Sequence, residues 1–278
     1  MLKIDAHQHC WQFDPVRDSW ITGEMSVIRR DFMPADLLPV LQHNGFDGTV
    51  LVQTCHAEDD NRFMLKLADE NDFIKGVIGW VNLQSLNVED RLKHYAQYSK
   101  MKGFRHVLQS DPDAQFMLRD SFKQGIALLN KYSFTYDILI YPNHLKYASI
   151  LAAAFPDQKF VVDHLAKPYI KSKQIDEWKK DLGALAKYQN VYCKVSGMLT
   201  EADWYCWRTD DFTPYLDTVF NAFGISRLMY GSDWPVCLLA GGYNRALEVL
   251  QLYTSKLSPQ EQDRFFGENA MEFYSLEV

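Results

Sequence analysis

A rhythm of short apolar runs leaves this chain few folds to choose from. Eight of them, rich in β-branched residues, recur at residues 2–9, 47–54, 76–81, 103–108, 136–140, 159–164, 191–195 and 228–231. Unbroken apolar runs, as opposed to strict alternation, mark strands covered on both faces. Between most of them lie segments with helical spacing. Leu37, Leu38 and Leu41 follow Pro34 in 34–43, and Phe63, Met64, Leu67 and Ala68 share one face of 60–71. Segments 88–99, 121–132, 143–155, 175–188 and 213–223 continue the pattern, and 243–253 adds a helix after the eighth run. Ser258-Pro259-Gln260-Glu261 opens a last helix with Ser at the cap, Pro in the first turn and Glu three residues on. Strand and helix in alternation imply parallel pairing with right-handed crossovers. Eight such units, each about the ~30 residues of a βαβ step, predict an α/β fold, a (β/α)8 TIM barrel spanning residues 1–278 as one domain. A doubly wound open sheet is the rival, but the turn after its first strand would carry a glycine-rich phosphate loop, and here His-Gln-His-Cys-Trp stands there.

Composition removes several classes of function. The 278 residues are 47% hydrophobic and 23% charged, with a net charge of −7 and no Lys/Arg-rich run, so nucleic acid is not an expected partner. Five cysteines at 10, 55, 193, 206 and 237 form no Cys-x-x-Cys pair and suggest neither a disulfide framework nor a thiolate zinc site. No apolar run is long enough to span a bilayer. With residues 1–9 already reading as a core strand and not as a leader, the expectation is a cytoplasmic protein with no membrane partner. Assembly into a homo-oligomer is left open.

In a barrel, active-site residues stand at the C-terminal ends of the strands. Lys-Ile-Asp-Ala-His-Gln-His places His7 and His9 on one side of the first strand, because alternate strand residues share a face. Phe-Val-Val-Asp-His ends the sixth strand on His164, and Tyr-Gly-Ser-Asp-Trp puts Asp233 just past the eighth. Closure makes strands one and eight neighbours, so all four should converge. Three imidazoles and a carboxylate suit zinc or a similar divalent ion. The same groups could act without metal, the imidazoles polarising a carbonyl while Asp233 takes a proton from water. Taken singly, each has a plainer reading: a satisfied core histidine, or an aspartate that caps a helix.

Other residues carry weaker signals. Arg105 and His106 fall on opposite faces of the fourth strand, so at most one of them faces the barrel interior, where a guanidinium would suit a carboxylate or polyhydroxy substrate or else a structural ion pair. Lys194 is a charge inside an apolar strand, which calls for a partner or a function. Trp204 and Trp207 lie in the long segment 197–212, and Trp11 and Trp20 in 10–31, both at the expected mouth; packing is the ordinary role of any one of them. Cys10 beside His9 lacks an orienting group for a nucleophile.

The motifs together resemble the amidohydrolase superfamily, and within it amidohydrolase family 2, in the branch that includes sugar-lactone hydrolases. The resemblance runs over essentially the whole chain. It rests on Asp5-Ala6-His7-Gln8-His9, Gly76-Val77-Ile78-Gly79-Trp80-Val81-Asn82-Leu83, Gly103-Phe104-Arg105-His106, Asp163-His164-Leu165-Ala166-Lys167-Pro168, Cys193-Lys194-Val195-Ser196-Gly197, Gly231-Ser232-Asp233-Trp234-Pro235-Val236-Cys237 and Asn269-Ala270. It implies hydrolysis of a lactone ester, with His7, His9, His164 and Asp233 as the metal-ligand set, Asp233 and His164 catalytic, and Arg105, His106, Lys194, Trp204 and Trp207 contacting substrate. The fifth strand has no histidine and the fourth no carboxylate or terminal lysine, which argues against the two-metal centre of many superfamily members. One ion is expected, zinc first, and the branch includes members for which metal is not obligatory. The reading is a hydrolase opening an L-fuconolactone- or L-rhamnonolactone-type substrate. A related decarboxylase, an amidase, or a barrel that binds sugar or metal without turnover are the alternatives.

Overall fold

All eight apolar runs are strands, and they pair in parallel in chain order. The computed structural model describes residues 2–277. The strands are β1 (Ile4–Gln8), β2 (Gly48–Val52), β3 (Ile74–Gly79), β4 (Met101–Val107), β5 (Thr135–Leu139), β6 (Phe160–Val162), β7 (Val191–Val195) and β8 (Leu228–Tyr230). Around them run α1 (Pro34–Asn44), α2 (Glu58–Glu70), α3 (Val88–Tyr95), α4 (Asp120–Leu129), α5 (Leu145–Ala154), α6 (Asp176–Leu185), the single turn α7 (Met198–Glu201), α8 (Thr213–Phe223), α9 (Tyr243–Thr254), α10 (Pro259–Asp263) and α11 (Asn269–Tyr274). The expected cap of α10 is present: the Glu261 N–H donates to Ser258 Oγ (3.3 Å) and the Ser258 N–H to the Glu261 carboxylate (2.8 Å). The segments 10–31 and 197–212 are not wholly irregular; they contain a 3₁₀ turn at Gly23–Ile28 and the short α7. Among the described residues no helix is long and apolar enough to cross a membrane.

The barrel closes at its mouth. Gln8 bridges Trp234, the His9 N–H donates to Trp234 O (2.7 Å), and the Asp233 N–H donates to His7 O (2.9 Å). The buried Asp5 carboxylate accepts from the Ser232 N–H (2.9 Å) and pins the same seam.

The core has two layers. An outer one fills the space between strands and helices, with Leu51, Phe104, Tyr136, Phe160 and Tyr230 among its members. An inner one packs Ile4, Ala6, Val50, Val52, Ile78, Val161 and Met229 inside the barrel, plugged from below by Ala270, Phe273 and Tyr274 of α11. Strict alternation from Ile4 and Ala6 would turn His7 and His9 outward. The register slips between Asp5 and Gln8, where three steps along β1 match two along β2. That bulge reverses the parity: Gln8 pairs with outward-facing Leu51, and both histidines turn inward.

Candidate active site

Four side chains meet where β1, β6 and β8 end. His7 Nε2 lies 3.2 Å from His9 Nε2, and Asp233 Oδ1 lies 3.4 Å from His9 Nε2, 3.8 Å from His164 Nε2 and 3.9 Å from His7 Nε2. All four are buried. The other nitrogen of each ring is held from behind. His9 Nδ1 donates to Val52 O at 2.7 Å, His164 Nδ1 meets Ser196 Oγ at 2.8 Å, and His7 Nδ1 faces Asp163 Oδ1 at 3.3 Å. Fixing Nδ1 in this way points Nε2 lone pairs at the centre.

The donor set fits one divalent ion. Val52 O can only accept, so the proton of His9 sits on Nδ1 and its Nε2 lone pair faces the centre. The Nε2 atoms of His7 and His9, 3.2 Å apart, are close enough to share one cation. Two nitrogens sharing a zinc at about 2.0–2.1 Å would stand roughly 3.3 Å apart. The reachable atoms of His7, His164 and Asp233 lie within 4.8 Å of one another. Burial lowers the pKa of His164 to about 4 and, with the Lys194 charge, takes His7 well below its ordinary value, so both rings are neutral, as ligands must be. Burial alone would raise Asp233, but the imidazoles around it, His164 first, hold it below the usual carboxylate range.

His164 reaches the centre from a strained turn. His164, Leu165, Ala166 and Lys167 all have φ between +49° and +57°, four left-handed residues in succession without a glycine. Each costs about 1–2 kcal/mol, so the surroundings must enforce the turn. They do so through Lys167 N–H on His164 O (2.7 Å), the Trp178 indole N–H on Leu165 O (2.8 Å) and the Ser196 contact. Gly197, itself at φ +63°, lets the ring in: a Cβ there would stand 2.7 Å from His164 Nδ1. Gly197→Ala is therefore expected to displace His164 and lower turnover about 10-fold or more, with the melting point falling as well; unchanged kinetics with unchanged stability would refute the steric account.

Beneath the histidines lies a buried ionic cluster. Lys194, with no exposed surface, pairs with Asp137 (2.5 Å) and Asp163 (3.2 Å). The Tyr274 hydroxyl donates to Asp137 Oδ2 (2.9 Å), and Arg105 Nη1 donates to Asp163 Oδ2 (2.9 Å). Burial pushes Asp137 up to about 6 against the pull of Lys194. Asp163 is buried too, yet Lys194, His7 and Arg105 around it hold it well below the usual range.

The expectation that Lys194 grips substrate is corrected here. Its ammonium is sealed under His7, 3.1 Å from Nδ1, and its charge is spent on Asp137 and Asp163. Arg105 faces inward, but Nη1 serves Asp163 and lies 3.4 Å from His7 Nε2, Nη2 serves Gln53 O, and only 3% of the residue is exposed. Both side chains are engaged with the buried groups around them. His106 turns the other way. Its ring stacks on Phe116 (4.8 Å) and lies 4.0 Å from that of His56, and its Nδ1 accepts from Trp80 Nε1 (3.2 Å). Trp204 and Trp207 are half-buried, and their indole N–H groups go to Thr200 O (2.9 Å) and Ala240 O (2.7 Å). Only their ring faces remain for a ligand, and that of Trp207 carries the Arg245 guanidinium at 4.3 Å. Cys10 is buried, and burial raises its thiol far above the range of a nucleophile.

Asp137, Asp163, Ser196 and Gly197 went unassigned in the sequence. The first two had a signal. Each is an acid in an apolar run, the same anomaly that marked Lys194, and a buried ammonium requires buried carboxylates.

A parallel eight-stranded barrel with three imidazoles and a carboxylate at its mouth has the form of a barrel hydrolase. The chain belongs to the amidohydrolase family, whose profile matches residues 4–276. It is 34% identical over 286 residues to an L-fucono-1,5-lactonase of Burkholderia multivorans, covering 99% of this chain and 96% of that protein. An L-fucono-1,5-lactonase of Burkholderia ambifaria is 35% identical over 282 residues, covering 99% and 96%. The crystal structure of a Burkholderia multivorans amidohydrolase with bound zinc is 33% identical, with both chains covered in full and a TM-score of 0.96.

Proposed function

We propose that this amidohydrolase-family hydrolase opens the ring of a sugar-acid lactone of the L-fucono-1,5-lactone class, with Asp233 as the group that activates water. The convergence of Asp233 Oδ1 with three Nε2 atoms carries the reading. Two L-fucono-1,5-lactonases at 34% and 35% identity over nearly the whole chain support the substrate class.

His7, His9, His164 and Asp233 would hold one divalent ion, zinc in this reading. Such an ion polarises a carbonyl and acidifies water. The residues do the rest. Asp233, whose carboxyl is held below the usual carboxylate range, accepts the proton of the attacking water. As the tetrahedral carbon collapses, the same carboxyl returns that proton to the departing ring oxygen, so the ester C–O bond breaks to a hydroxyl and a carboxylic acid, which then ionises and releases a proton. Asp163 holds His7, Val52 O holds His9 and Ser196 holds His164, so no imidazole has to reorient during the reaction. Lys194 and Arg105 keep Asp163 charged and in place.

The test is proton release on a panel of lactones that includes the L-fucono-1,5 and L-rhamnono-γ forms, each against its spontaneous hydrolysis, with and without a chelator. Acceleration of a sugar lactone is the expected result. Loss of rate on chelation, restored by zinc, is expected for the metal. A panel with no accelerated lactone, or carbon dioxide released from an aromatic acid instead, would overturn the reading.

A further inference from the structure

The left-handed turn at 164–167 does more than aim His164. A left-handed turn mirrors an α turn, so its first and fourth residues lie on one face. Lys167 therefore stands beside His164. Its Nζ lies 3.5 Å from Glu201 Oε1 and 5.9 Å from the centre of the Tyr141 ring. Both charged side chains are 18% exposed, neither sealed like Lys194 nor free in solvent. They come from the loops that follow β6 and β7, on the face where the reacting groups converge. The proposed mechanism uses neither.

We infer that Lys167 and Glu201 form a donor–acceptor pair that reads the hydroxyl groups of the sugar chain, and so set the preference for a polyhydroxylated substrate over a plain lactone. This rests on the proposed lactone reading and names what that site selects. An ammonium offers donors only and a carboxylate acceptors only, whereas each hydroxyl of a vicinal diol offers both. A diol laid across the pair satisfies both partners at once. A substrate without hydroxyls leaves the pair partly desolvated with nothing to replace the water, and that penalty is the source of discrimination.

The plainer role for the pair is a latch between two loops, since the Glu201 carbonyl also accepts from the Lys171 N–H (3.0 Å). The experiment separates the two. Calorimetry with L-fuconate and with 5-hydroxyhexanoate, the same acid without hydroxyls at carbons 2, 3 and 4, compares wild type, Lys167→Met and Glu201→Gln. Charge attraction to the carboxylate is common to both probes and cancels in the ratio. Wild type is expected to prefer L-fuconate by about 10- to 100-fold, and each variant to lose most of that preference, the scale of one charge-assisted hydrogen bond. The ratio of kcat/KM for L-fucono-1,5-lactone and δ-hexanolactone should fall in parallel. Equal binding of the two probes by wild type, no binding of either, or a preference kept in both variants overturns the inference. A lowered melting point with the preference intact identifies a latch. Met keeps the length of Lys167; if that variant does not fold, Glu201→Gln decides alone. Because calorimetry needs no turnover, a protein that hydrolyses no lactone would sink the proposed reaction while this result still stands or falls by itself.

Discussion

Asp233→Asn is expected to fold and to lose its turnover. The substitution keeps the shape of the side chain, and the backbone contacts that fix residue 233 are untouched: its N–H still donates to His7 O (2.9 Å) and the Gln8–Trp234 bridge still closes the seam. What disappears is a basic oxygen within 3.4–3.9 Å of three imidazoles. An amide cannot accept the proton of water or return it to the leaving oxygen, and the donor set loses its one negative charge. A fall in kcat of roughly 100-fold or more is expected, the scale of lost acid–base catalysis, with a melting point near that of wild type. Steady-state rates on the best lactone, beside a thermal melt, check it. Near-normal turnover in a folded Asp233→Asn protein would remove Asp233 from the mechanism.

The second large effect is on stability. In Lys194→Met, a side chain of similar length fills the site, but two buried carboxylates lose the ammonium between them. Arg105 still pairs with Asp163, and Asp137 keeps only the Tyr274 hydroxyl. Removing one partner from a buried ionic group costs about 3–5 kcal/mol, so the urea midpoint should drop steeply. Adding Asp137→Asn to Lys194→Met should recover a large part of the loss, because the stranded charge is then gone. A Lys194→Met protein destabilised by less than about 1 kcal/mol, the scale of a surface pair, would mean that the cluster does not carry its apparent weight. Turnover should fall with stability, since Asp163 orients His7 and Lys194 helps to hold Asp163.

The barrel was legible because its signal is repeated. Eight apolar runs each had to be buried on both faces, and no error at a single boundary could change that count. Convergence of His7, His9, His164 and Asp233 followed from strand order alone. The route to it was not legible. Alternation gave His7 and His9 a common side, but which side depends on a bulge that no residue type announces. Likewise, the four left-handed residues at 164–167 lack the glycine that would have marked them, since the enforcing contacts come from Trp178, Ser196 and Gly197 elsewhere in the chain. Lys194 was recognised as anomalous but misplaced in role. A lone charged residue in a strand shows that a partner exists; only the fold shows whether that partner is a ligand or Asp137.

The seam between Gln8 and Trp234 also bears on how the molecule acquires its activity. The groups brought together there come from opposite ends of a chain whose other strands each pair with their neighbours in order. Every intermediate strand must be in register before residues 7 and 233 can meet, and that long loop closure comes late and is entropically costly. A partly folded or misregistered chain could bury much of its apolar surface and still have no assembled centre. Catalysis would then be a stricter report of completed folding than secondary structure or compactness, and refolding followed by activity should lag refolding followed by circular dichroism.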